Sequence, residues 1–143
     1  MKLELRGTVT LIEVFDVNHS IEFYRAMLGF EVTQTAGPPD RLGWAFLRAG
    51  KVELMLNSMY DPDDLRPHAP DPARVAAHRD TTFYIDCPDV NGAYEFLREK
   101  GVRLDPPCDT PYGMRQLPFS DPDGYGVCLQ WPVKECSNNG ESP

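Results

Sequence analysis

The sequence predicts an α+β fold built from one unit used twice, and three observations carry that prediction. Residues 16–32 read DVNHSIEFYRAMLGFEV and residues 89–104 read DVNGAYEFLREKGVRL, so Asp16/Asp89, Asn18/Asn91, Glu22/Glu95, Phe23/Phe96 and Arg25/Arg98 recur. Such long-period self-similarity reports architecture first. Around each copy the order is one strand, one helix, then three strands, which favours a mostly antiparallel sheet with helices on one face. Along the best strands, apolar and polar residues alternate, so each strand has a core side and an open side. We read residues 1–143 as one domain: module one at 7–58, a Pro-rich connection at 59–79, module two at 80–132 and a flexible tail at 133–143.

The elements follow in order. TVTLIEVF at 8–15 is rich in β-branched and aromatic residues and reads as a strand. Asn18 is the expected N-cap of the first helix, because its side chain can accept from a free backbone N–H. Ile21, Tyr24, Met27 and Leu28 give that helix one apolar stripe, and Gly29 stops it. Strands are expected at 31–35, 43–48 and 52–57, punctuated by Gly37-Pro38-Pro39 and Ala49-Gly50. Segment 59–79 holds Pro62, Pro67, Pro70 and Pro72, and a short helix is expected from Asp71-Pro72. The second unit predicts a strand at 80–86, a helix at 91–100 ended by Gly101, and strands at 102–104, 115–119 and 125–131. Asp121-Pro122-Asp123-Gly124 is the expected tight turn.

Bulk properties exclude several functions. With 22 acidic and 14 basic residues the net charge is −8, and no Lys/Arg stripe appears, so neither nucleic acid nor an anionic membrane is an expected partner. No apolar run reaches the span of a bilayer, and MKLELRGTVT lacks a signal core. Cys87, Cys108, Cys128 and Cys136 form no CxxC pair and read as free thiols, so a cytoplasmic location is expected. Nucleophile-elbow, phosphate-loop and dinucleotide motifs are absent from the sequence.

Parity sorts the strands into two faces. One carries Ile12, Val14, Leu54, Leu56, Phe83, Ile85, Val127 and Leu129, all apolar, and should pack on the helices. The other carries Leu11, Glu13, Glu53, Met55, Asn57, Asp80, Thr82, Tyr84, Cys128 and Gln130. Solvent exposure would account for a mixed face. A curved sheet lining a ligand cavity would account for it too, and explains Leu11, Met55 and Tyr84 better.

The motifs FDVNHSIEFYRAMLGFEV, VELMLNS, IDCPDVNGAYEFLREKGV and GMRQLPFSDPDGYGVCLQW resemble the vicinal-oxygen-chelate superfamily, which contains glyoxalase I, fosfomycin-resistance enzymes, extradiol dioxygenases and bleomycin-resistance proteins. The likeness covers about residues 8–132. It implies paired βαβββ modules whose sheet curls into a cup, with the helices on its outer face. Metal-dependent relatives place ligands at four positions, which here are Val9, Glu53, Asp80 (or Thr82) and Cys128. Valine cannot coordinate, and two carboxylates with a thiol are an odd donor set for a divalent ion. The resemblance therefore implies a metal-independent small-molecule binder acting by sequestration, like the bleomycin-resistance branch, with no cofactor and a homodimeric assembly. The alternative is a metal-dependent lyase, transferase or dioxygenase with an atypical ligand set, for which Glu53 and Asp80 are the weak metal candidates.

Expected ligand-binding residues are Glu13, Trp44, Met55, Asn57, Tyr84, Tyr112, Arg115 and Gln130; catalytic residues are not identified. His19 and His68 read as solvated. His78, close to Asp80 in sequence, is the histidine that could serve as ligand or general base. Tyr60 and Trp131 are further candidate cavity walls, and Glu22/Arg25 with Glu95/Arg98 read as surface helix pairs.

Overall fold

The structure, a computed structural model, describes residues 1–60 and 65–133. Pro62, Cys136 and the tail beyond Val133 lie outside the described residues, as does the expectation of a flexible tail there. The chain forms two compact units, Met1–Val75 and Ala76–Pro143.

In the first unit β1 (Thr10–Val14), α1 (Val17–Leu28), β2 (Glu31–Ala36), β3 (Trp44–Ala49) and β4 (Val52–Ser58) make one βαβββ module. Its strands lie in the order β1-β4-β3-β2. A helix between β1 and the other strands returns the chain, so β1 pairs with β4 in parallel, while β2–β3 and β3–β4 are antiparallel hairpins. The connection contains α2 (Pro72–Ala77), started as expected by Asp71, whose carboxylate accepts from Ala73 N–H at 3.0 Å. A 3-10 turn at His78–Asp80 follows. The second unit repeats the module with β5 (Thr82–Asp86), α3 (Val90–Glu99), β6 (Cys108–Asp109), β7 (Met114–Ser120) and β8 (Gly126–Pro132), ordered β5-β8-β7-β6. Again one ladder, β5–β8, is parallel and the rest antiparallel. The α+β class and the duplicated module are therefore as expected, with mostly antiparallel pairing realised as two mixed four-stranded sheets.

Each core follows the parity reading. Ile12, Val14, Leu54 and Leu56 are buried in the first unit, where α1 packs on β3 and β4. Val127 and Leu129 are buried in the second, where α3 packs on β7 and β8, and Phe83 and Ile85 are half-buried. Full burial of such side chains contributes about 1.5–3 kcal/mol each.

Local starts and stops differ from expectation in three places. The N-caps are Asp16 and Asp89, whose carboxylates accept from His19 N–H and Gly92 N–H at 3.1 and 2.9 Å. Asn18 is already inside the helix; its amide donates to Pro39 O at 2.8 Å and accepts from Leu42 N–H at 2.9 Å, pinning the β2–β3 loop. Residues 102–104 form no strand, because α3 ends in a cap that uses their donor: Gly101 N–H bonds Arg98 O and Val102 N–H bonds Leu97 O. With Pro106-Pro107 next, pairing resumes only at Cys108. The strand expected from residue 80 begins at Thr82, so Asp80 sits in the 3-10 turn and not on the sheet.

Candidate functional site

Register converts the open face of the first sheet into rows. Glu13, Asn57, Trp44 and Ala36 are successive cross-strand neighbours over β1, β4, β3 and β2; Leu11, Met55, Phe46 and Gln34 form the next row. Asn57 Nδ2 donates to both carboxylate oxygens of Glu13, at 3.1 and 3.2 Å. Trp44 and Phe46 stand edge to face with centroids 6.5 Å apart. The structure thus brings together four of the expected residues, Glu13, Trp44, Met55 and Asn57. Phe46, missed in the sequence because its strand's parity was ambiguous, belongs with them. The surface offers flat apolar area around a polar pair of fixed orientation.

The third row of this face holds Glu53 beside Arg48, and Arg48 beside Glu31. Arg48 Nη2 meets Glu53 Oε2 at 2.6 Å. Glu53 therefore has a cationic partner on the adjacent strand.

On the second sheet, Gln130 Oε1 accepts from Gln116 Nε2 at 3.0 Å, and the same amide lies 3.2 Å from the Tyr112 hydroxyl. Two expected residues, Tyr112 and Gln130, are thus joined through Gln116, which the sequence reading missed for want of a strand parity on β7. Tyr84 is 60% exposed in a row with Cys128 and Pro118. Arg115 is the exception. It pairs across the sheet with Trp131, on the side of Leu117 and Leu129, and it donates to Asn91 Oδ1 of α3 at 2.9 Å and to Asp109 at 2.8 Å. Arg115 is committed to the helix side, because a one-residue offset in a strand changes the face.

His78 is also structurally engaged. Its ring stacks on Tyr125 at 4.1 Å, and its Nδ1 lies 2.6 Å from Asp123 O, a contact that requires the proton on Nδ1. His19 and His68 are exposed, as read. Tyr60 packs edge-on against Phe15 at 6.0 Å, and Trp131 is 38% exposed.

The donor set expected for a divalent ion does not suit one. Val9 has no donor atom, Glu53 is ion-paired, Asp80 lies in the turn outside β5, its alternative Thr82 at the start of β5 offers only a neutral hydroxyl, and the buried Cys128 thiol points to Leu129 O. Burial is the main reason the Cys128 thiol is pushed up; a backbone hydrogen bond involving Leu117 opposes it, and the Cys108 thiol adds to it. A raised thiol is a poorer metal ligand, since the thiolate is the binding form. Among the described residues no three His, Cys, Asp or Glu side chains gather as a metal site would require.

Comparison with known proteins agrees with this architecture. The family model described as Glyoxalase/Bleomycin resistance protein/Dioxygenase superfamily matches residues 8–129. A glyoxalase/bleomycin resistance protein/dioxygenase from Nocardioides shares the fold at TM-score 0.66 and 23% identity, over 96% of this chain and 91% of that one. A glyoxalase/bleomycin resistance protein from a Streptomyces species aligns at TM-score 0.61 and 25% identity, over 86% and 97% of the two chains. An antibiotic binding protein from the same Streptomyces strain aligns at TM-score 0.64 and 24% identity, over 92% and 100%. No curated protein matches.

Proposed function

This chain belongs to the glyoxalase/bleomycin resistance protein/dioxygenase superfamily, and from that premise we propose that it is a metal-independent binder of small, largely aromatic molecules. The observation that carries the reading is the first sheet's open face, where the hydrogen-bonded Glu13–Asn57 pair lies in one row with Trp44 and borders the Leu11–Met55–Phe46 row. Aromatic walls supply contact area, and a few polar groups orient the guest. Binding itself, by sequestration, is then the activity, and the solved antibiotic binding protein of similar fold supports that reading. The Arg48–Glu53 ion pair supports the metal-free part, since it occupies the carboxylate that a metal site would need. A homodimer in the cytoplasm completes the proposal.

A thermal-shift screen with bleomycin, planar aromatic amines, neutral aromatic compounds and glutathione adducts tests it. A compound that binds the folded state raises the melting temperature by mass action. Trp44→Ala should weaken that compound by about tenfold or more, as loss of an aromatic anchor does. If no compound shifts melting, or if Trp44→Ala leaves the shift intact, the reading fails. The metal-free part fails if protein purified without chelator carries stoichiometric zinc, nickel, manganese or iron that Glu53→Ala removes.

A further inference from the structure

We propose that the second unit carries a separate subsite for a small oxyanion, a carboxylate or a phosphate, held by Arg79, Thr82 and Ser120. A cavity of about 310 Å³ opens on this unit, and Arg79, Thr82, Ser120, Gly124, Gly126 and Pro118 are among its lining residues. Register explains its floor. Thr82, Gly126 and Ser120 are cross-strand neighbours over β5, β8 and β7, so two hydroxyl-bearing residues flank a position with no side chain. A Cβ on Gly126 would come within 2.6 Å of Thr82 Oγ1, so the Thr82 hydroxyl leans over the glycine, into space that any other residue would fill.

The donors here are side chains, because the backbone is already used: Gly126 N–H bonds Thr81 O and Gly124 N–H bonds Asp121 O. Among the described residues Arg79 makes no ion pair, and the Thr82 and Ser120 hydroxyls make no side-chain hydrogen bond. On the β7–β8 turn, Asp121 Oδ1 accepts from Asp123 N–H and Tyr125 N–H, both at 2.9 Å. A guanidinium with two hydroxyls beside a bare backbone floor matches an oxyanion, which accepts several bonds in a fork. A cation would meet Arg79 as a like charge.

The subsite stands on residues separate from the Trp44 face, so the two proposals fail independently. Its test is amide-resolved NMR titration of the full chain with inorganic phosphate and with benzoate, at matched ionic strength against chloride. Shifts should concentrate at Thr82, Ser120, Gly124 and Gly126, and Arg79→Ala should weaken binding by about tenfold. Arg74→Ala, on exposed α2, should leave it unchanged. Tighter binding of benzoate assigns the subsite to the acid group of an organic ligand; phosphate equal or tighter assigns it to the inorganic ion. No localised shift with either anion, or equal weakening by Arg74→Ala and Arg79→Ala, overturns the subsite.

Discussion

Single side chains decide how this chain uses its charges and thiols. Asn18 illustrates what a sequence can hide: its position before an apolar stripe is that of a cap, yet Asp16 two residues earlier takes the role and frees Asn18 to hold the loop at Pro39 and Leu42. Asp16→Ala should therefore cost about 1 kcal/mol in a urea titration. Asn18→Ala should leave helix content unchanged and raise amide exchange at Leu42. Cys128 makes a pH prediction. Burial raises its thiol pKa in the folded chain, so the unfolded chain releases that proton first, from about pH 8.5. Above that pH the unfolded state binds fewer protons, and stability falls as pH rises toward the folded value; below it the group has no effect. Cys128→Ala should flatten this alkaline decline, measured as the urea midpoint against pH. Part of the slope should remain, because burial also raises the Cys87 thiol.

At the scale of elements, the sequence revealed what depends on local pattern and missed what depends on partners. Helices α1 and α3, their glycine stops, α2 and the Asp121–Gly124 turn all rest on neighbours within a few residues, and all are present. The strand expected at 102–104 is absent because the helix cap claims the Val102 amide, a competition that apolar periodicity does not record. Site residues divide the same way. Glu13, Met55 and Asn57 follow from clear alternation in β1 and β4. Arg115 and Gln116 sit one residue apart on β7, and only the pairing with Trp131 and Gln130 shows which faces the helix. The stop of α1 gives the test at this scale. Gly29 has φ of 72°, a region where a Cβ meets the following carbonyl oxygen. Nothing crowds the position itself, so Gly29→Ala isolates the backbone term. It should destabilise by about 1 kcal/mol with the fold intact, read from urea midpoint and unchanged near-ultraviolet dichroism.

For the whole molecule, duplication and charge shape the two open faces and the field around them. The two modules share one strand order, yet their open faces differ: the hydrogen-bonded Glu13–Asn57 pair in one row with Trp44 on the first, and Thr82 and Ser120 flanking Gly126 on the second, where Arg79 of the 3-10 turn lines the same cavity. One fold thus presents two chemistries, and the net charge of −8 treats them oppositely. The overall field draws cations toward the protein and resists anions, with a reach of about 10 Å at 0.1 M salt. A cationic aromatic guest for the Trp44 face should associate fastest at low ionic strength, and added salt should slow it. A neutral guest of the same shape should show no such slope, because its contacts are apolar and short-ranged. Stopped-flow quenching of tryptophan fluorescence over a salt series measures both rates. If cationic and neutral guests respond alike, the acidic surface plays no part in recognition, and Glu13 then serves only to orient Asn57.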